Sequence, residues 1–595
     1  MAAGMALGLS GALVMSIAAL SGVALADTPP ARPAQPQGLT PSQQQYFDEL
    51  VGNQGSWAPQ GAALVASGFD PSLDAFGFMN YGDDLTWNQL FFQQPTRLGR
   101  TRTAVAALTR RDMRTVYGDG VCVSPTPAPG DCQLTESAEQ VRIAANQWGR
   151  AGHCFAMVAS AAGLMNGSQP RTAYARRNTT AGIPLTSRTQ RVLARLTMAA
   201  HTTTQGYPSG SMASFIQALS ASVKARNIEN ALLLYGVPGS HAVLPLSVLD
   251  RGAGQFDVAV YDPSVPLRKR AIHVDTRANT WEYQGVDAPG QPILYWSSTD
   301  PRKPATLFLG IIADKYGQQA CAFCVAAGRS DLRTAPRTAP SSGATVVTFS
   351  PVLAENSAIF DSLTLTDPQG SPLDPTLYSI TPPTDGAGTS YANGPSITVA
   401  SGIDFVVRLS GAGVRVPEPF TLMAIKAGDV RTVRLDRLTQ TLESEIQISS
   451  DVQNTRVSAI SLSRVTAKQS LEIADTSYLF VATQSASDGR AALNIDVSRE
   501  RPYAVIRSRS DARATLSINL RSTTTTSQAT SSQAYRRRQV DVPMGAQLIV
   551  DYASWHGVKG LPRLWLDLAS DGTRDRRIPL SPVAPRSTSP ERPLR

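Results

Sequence analysis

Apolar residues recur at helical spacing from Thr135 to Gln147, from Thr189 to His201, and from Ser211 to Ala225, where Met212, Phe215, Ile216 and Leu219 mark one face. The run Phe155 to Met165 is apolar on every side, as in a helix buried through the middle of a domain. After Asn227 the period shortens to that of strands. Ala231–Tyr235, Ala242–Leu249, Gln255–Tyr261, Ala271–Val274, Trp281–Gln284, Ile293–Ser297 and Thr306–Ile311 are short runs between Gly, Pro and Asp punctuation. Helices first and an antiparallel sheet second predict an α+β unit, not a doubly wound one. Beyond the Ser, Thr and Pro-rich link Thr334–Gly343, strand-length alternations recur at roughly ten-residue spacing, from Ala344–Phe349 to Gln547–Tyr552, the pattern of all-β sandwich domains.

The organisation that follows is multidomain. Residues 1–26 carry no charge, and the apolar run Ala6–Leu25 ends in Ala24-Leu25-Ala26, a secretion signal whose alternative is an uncleaved N-terminal membrane anchor. Residues 27–99 form a linker and an aromatic N-terminal wrap that includes Phe76–Gly82 and Phe91-Phe92. The α+β domain occupies 100–333, a first β-sandwich 344–427, a second 428–580, and a disordered tail 581–595. No other run is long and apolar enough to span a membrane.

The net charge of +9 changes little, because the basic residues are scattered, with Arg268-Lys269-Arg270 and Arg536-Arg537-Arg538 the only short runs. It implies a weak preference for an anionic surface such as a cell envelope and no nucleic-acid partner. The 5 cysteines matter more, since an exported chain tends to pair its thiols. Cys122 and Cys132 flank a Pro and Gly-rich loop, and Cys321 and Cys324 form a Cys-Ala-Phe-Cys; if both close as disulfides, Cys154 is left over. Zinc at Cys321 and Cys324 would need a second close ligand pair, which is missing. No metal or cofactor is implied, and the C-terminal half has no calcium loop.

Cys154 heads the buried helical run behind Gly152 and His153. A thiol attacks as thiolate, so it needs a helix N-terminus, an imidazole to take its proton and a carboxylate to orient that imidazole. His241 and Asp262 supply the last two. A turn at 250–254 pairs Leu249 with Gln255 and sets His241 opposite Pro263, and a bulge at Pro245 supplies the one-residue shift that reaches Asp262. Asp257 falls too far along the strand. Gln147 or the His153 ring is in sequence reach as an oxyanion donor, His153 being more a packing group than the base. His201, His273 and His556 have no carboxylate or thiol at motif spacing and read as structural.

The order Cys154, His241, Asp262, with the thiol opening a buried helix and the other two on adjacent strands, resembles the papain-like cysteine peptidase superfamily. Tyr261-Asp262-Pro263 is similar to the bacterial branch that includes bacteriocin-leader-processing peptidases. That branch carries an oxyanion Gln six residues before the Cys, whereas Gln147 stands seven before Cys154. Leu363–Gly370 resembles the first strand and turn of immunoglobulin-like modules in exported bacterial proteins. The resemblance implies an exported thiol hydrolase acting on a peptide or protein substrate, through an acyl-enzyme on Cys154. A catalytically inactive adhesion or scaffold protein, and a transglutaminase-like acyl transferase, are the alternatives.

Overall fold

The computed structural model describes most of the chain from Trp57 to Val583, together with Pro41, apart from internal stretches such as 86–105, 124–131, 286–293, 325–343 and 382–390. The expected signal, most of the expected 27–99 wrap, the 334–343 link and His556 lie outside the described residues. The protein is multidomain: an N-terminal helical region, a curled antiparallel half-barrel sheet, and further antiparallel sheets. Among the described residues no helix is long and apolar enough to cross a membrane.

Among the described residues a short helix at Pro71–Asp74 is followed by five longer ones: α1 (Arg110–Tyr117), α2 (Glu136–Trp148), α3 (Cys154–Asn166), α4 (Ser187–Thr202) and α5 (Met212–Ser222). The periodicity predicted the last four. α1 starts on a capping box, with Thr109 accepting from the Asp112 amide while Asp112 accepts from Thr109. Thr135 caps α2 by accepting from the Ala138 amide.

The half-barrel sheet contains β1 (Ala62–Ala66), β2 (Gly206–Pro208), β3 (Asn230–Gly236), β4 (Gly239–Gly252), β5 (Gln255–Tyr261), β6 (Lys269–Asp275), β7 (Thr280–Gly285), β8 (Leu294–Ser297) and β9 (Thr306–Ile311). Its order is β8-β7-β6-β5-β4-β3-β9-β2, with β1 added along β4. Side chains alternate across a strand, so the sheet has two differently packed faces. Ala242, Leu244, Leu246 and Tyr261 join α3 on one. Val243, Val248, Val258, Val260 and Trp296 join α5 on the other.

Two further antiparallel sheets, of ten and nine strands among the described residues, follow. One apolar core from Val347 to Ile578 fills the space between them. The boundary expected near 427 falls in a hairpin, where β10 (Glu418–Lys426) and β11 (Asp429–Leu438) pair Lys426 with Asp429. The nine-stranded sheet also crosses it, by pairing Phe405–Ser410 with Glu443–Ile448. The two expected β units are therefore joined edge to edge through both sheets. Ser581 and Pro582, expected in the tail, instead pair with Thr530–Val542.

Candidate active site

α3 carries the thiol. Every residue from Cys154 to Met165 is buried, which accounts for the absence of a polar stripe in this stretch. The N-cap is His153, whose side chain does not cap the helix. Its ring instead stacks on Tyr81 with centroids 4.5 Å apart, and its Nδ1 meets the Tyr81 carbonyl at 2.9 Å. Gly152 turns the chain into the helix at φ 123°, a conformation that a side chain resists.

The segment before α1 ties this helix start to the sheet. The Asn80 side-chain oxygen accepts from the His153 amide at 2.8 Å, and the Asn80 amide donates to the Pro263 carbonyl at 2.7 Å. One asparagine thus holds both the residue before Cys154 and the residue after Asp262, which keeps these two chain segments within about 10 Å of each other.

His241 and Asp262 meet directly. His241 Nε2 lies 2.8 Å from Asp262 Oδ1, and the side chains are 2% and 0% exposed. The route differs from the one expected of the sequence. The hairpin turns at Ala253-Gly254 and pairs Gly252 with Gln255, and the register then slips twice, around Arg251 and around Leu246. Leu244 consequently faces Tyr261, and extending the ladder sets Asp262 opposite Val243, two residues from His241 on the same face. Such diagonal neighbours are within reach of long side chains.

Two further groups hold the carboxylate and a third covers the imidazole. Tyr283 donates to Asp262 Oδ2 at 2.5 Å, the Ser264 amide donates to Oδ1 at 2.7 Å, and Trp296 stacks on the His241 ring at 5.8 Å and 16°. Burial by itself raises the Asp262 carboxyl, but the His241 charge and the hydrogen bonds from His241, Tyr283 and Ser264 outweigh it, so the group ends below its ordinary value. Tyr283 goes far the other way, through burial and then the Asp262 charge.

With Nε2 on Asp262, the remaining ring nitrogen is Nδ1, which is buried and has no hydrogen-bond partner among the described residues. Cys154 packs in the cluster of Ala242 and Tyr261, the immediate neighbours of His241 and Asp262. By alternation along the strands, Ala242 and Tyr261 point to the α3 face while His241 and Asp262 point to the face of Tyr283 and Trp296, so this packing does not itself bring the thiol to the dyad, and no hydrogen bond joins Cys154 to the His241 Nδ1.

The other candidates scatter. Gln147 is exposed at the end of α2, accepts from Arg150 at 3.3 Å, and lines a cavity that Cys154, His241 and Asp262 do not line. Cys122 bonds Cys132 and Cys321 bonds Cys324, and both disulfides pack in one apolar cluster with α1, α2 and α4. Cys154 belongs to neither. His201 stacks on Trp148 at 4.8 Å. The reading of His273 as lacking a carboxylate needs correction, because Asp257 lies across the strand pair and meets its Nδ1 at 2.8 Å. Motif spacing along the chain cannot show a cross-strand partner. No group of three His, Cys, Asp or Glu suited to a metal occurs among the described residues.

Asn80, Tyr283 and Trp296 escaped the sequence reading. Asn80 sits in the aromatic wrap, where Phe76–Gly82 was the only signal, and the other two lie three and four strands from His241 in the sheet. Compared with known proteins, the chain matches no family model, no curated protein and no solved structure.

Proposed function

We propose that the chain is an exported thiol hydrolase with a papain-like α+β domain followed by β-sandwich modules, cleaving peptide or isopeptide bonds through an acyl-enzyme on Cys154. The observation that carries this reading is the buried His241 and Asp262 dyad, whose Nδ1 is unpartnered among the described residues, beside the start of the helix that bears the one cysteine outside both disulfides. The helix N-terminus favours thiolate and faces its first-turn amides towards a developing oxyanion.

In this mechanism His241 Nδ1 takes the thiol proton while Nε2–H donates to Asp262. The thiolate forms a C–S bond to the substrate carbonyl, the C–N bond breaks, and the leaving amine receives the proton from His241. Water then attacks the thioester with His241 as base and regenerates the thiol. An amine in place of water turns the same acyl-enzyme into a transferase.

Labelling with iodoacetamide tests the nucleophile. Wild-type protein should incorporate one equivalent rapidly at neutral pH, Cys154→Ala none, and His241→Ala at least tenfold more slowly. Unchanged stoichiometry in Cys154→Ala, or equal rates in His241→Ala, removes the assignment. Incorporation of a labelled amine into a peptide substrate separates transfer from hydrolysis.

A further inference from the structure

The surface beside α2 combines charge and apolar area that the proposed chemistry leaves unused. α2 lies on the outer face of the ten-stranded sheet, where Met423, Ile425 and Val430 pack with Ala138, Val141, Ala145 and Trp148. Strand register decides what else that face carries. Thr432 of β11 pairs with Lys468, Lys468 with Val481, and Leu479 with Arg521, while Arg434 is two residues along from Thr432. Arg434, Lys468 and Arg521, far apart in sequence, thus come to one face.

Two cavities flank this row, of about 390 and 380 Å³. Both are lined by Gln140, Ile143 and Lys468, so they join into one groove along α2. Its apolar lining includes Ile143, which is 48% exposed, with Met423 in the first cavity and Leu479 and Val481 in the second. Arg521 meets Glu136 at 3.3 Å and Arg434 meets Asp436 at 3.3 Å. Lys468 is half-buried and makes no such ion pair among the described residues. Its ammonium is held below the ordinary lysine value by burial and then by the charges of Arg434 and Arg521, as Glu136 opposes them. The lining sets four cations, Arg150, Arg434, Lys468 and Arg521, against three carboxylates, Glu136, Glu139 and Glu418, so formal positive charge exceeds negative by one over an apolar floor.

We infer that this groove binds an extended peptide segment in which acidic and apolar side chains alternate. The acidic groups meet Lys468 and Arg434, and the apolar ones meet Ile143, Leu479 and Val481. The apolar floor favours such a peptide over a uniformly hydrophilic polyanion. α2 has 13 residues and is about 20 Å long, the span of roughly six extended residues. The first cavity is also lined by Gln147, Trp148 and Arg150, which lie four to seven residues before Cys154 in sequence. As a substrate-recruiting surface the groove rests on the hydrolase reading, and it names acidic peptides as the substrate class.

Binding is measured on full-length Cys154→Ala protein with a fluorescein-labelled hexapeptide, Leu-Glu-Leu-Glu-Val-Glu, by fluorescence anisotropy. The Glu peptide should bind at least tenfold tighter than its Gln counterpart and weaken with added salt. Lys468→Glu should lower that affinity at least tenfold, and the more exposed Arg434→Gln severalfold with an unchanged unfolding midpoint. Equal binding of the two peptides, or unaltered affinity in a folded Arg434→Gln and Lys468→Glu pair, overturns the inference. So does polyphosphate that displaces the peptide with equal affinity per charge, since the surface then selects charge alone. Because the readout involves no turnover, failure here is distinct from failure of Cys154 as nucleophile, which the labelling experiment reads.

Discussion

Asp262 concentrates the energetics of the candidate site. An unexposed carboxylate is costly unless it is paired and hydrogen-bonded, and here His241, Tyr283 and the Ser264 amide all point at it. Its folded-state carboxyl is held below the ordinary value. The sign follows: the folded state binds fewer protons at Asp262 than the unfolded one, so its stabilisation is present above the ordinary carboxyl range and is lost as pH falls through the lowered folded value. Tyr283→Phe removes one lowering bond. The pH at which Cys154 labelling by iodoacetamide declines on acidification should therefore move upward, and the maximal labelling rate should fall about tenfold, the equivalent of one ordinary hydrogen bond of about 1.4 kcal/mol. An unchanged acid limb in a folded variant would mean that the tyrosine packs without tuning the dyad.

Among the elements, the start of α3 is positioned from outside itself. His153 offers no side-chain cap, Gly152 adopts a left-handed angle, and Asn80 fixes both the His153 amide and the Pro263 carbonyl. Asn80→Ala leaves the buried His153 amide without its acceptor, a loss of about 1–3 kcal/mol. Thermal unfolding should register this as a lowered midpoint. The labelling rate of Cys154 should fall as well, with His241 and Asp262 untouched. A stability loss with full labelling would assign Asn80 to packing alone.

Across the whole molecule, the helical region and the ten-stranded sheet meet at a buried acidic pair. Glu472 accepts from the Ser137 amide and hydroxyl and from Ser477, and Glu136 faces Arg521. Burial, the largest cause in each, pushes both carboxyls up to about 7 from 4.5, with Glu139 also raising Glu136 and Lys468 and Arg521 lowering it. Here the folded state binds more protons than the unfolded one between about pH 4.5 and 7, so stability falls as pH rises through that window and levels off above it. Differential scanning calorimetry should show the unfolding midpoint dropping by a few degrees from pH 5 to 8. Glu472→Gln, which keeps the shape without the charge, should flatten that slope.

Local pattern settled much of this protein: four of the five longer helices and the seven half-barrel strands from Asn230 onward were legible because periodicity is a local property, and residue chemistry marked Cys154, His241 and Asp262 as candidates. The sequence also paired Cys122 with Cys132 and Cys321 with Cys324 by proximity along the chain. Only the tertiary structure decided the rest. Two bulges in β4 made His241 and Asp262 diagonal neighbours, and a loop asparagine joined helix to turn. Strand register drew Arg434, Lys468 and Arg521 out of a scattered charge distribution onto one face, and it fused two expected β units into a single core. These features depend on contacts between residues distant in sequence, where one extra residue in a strand reverses which side chains face each other.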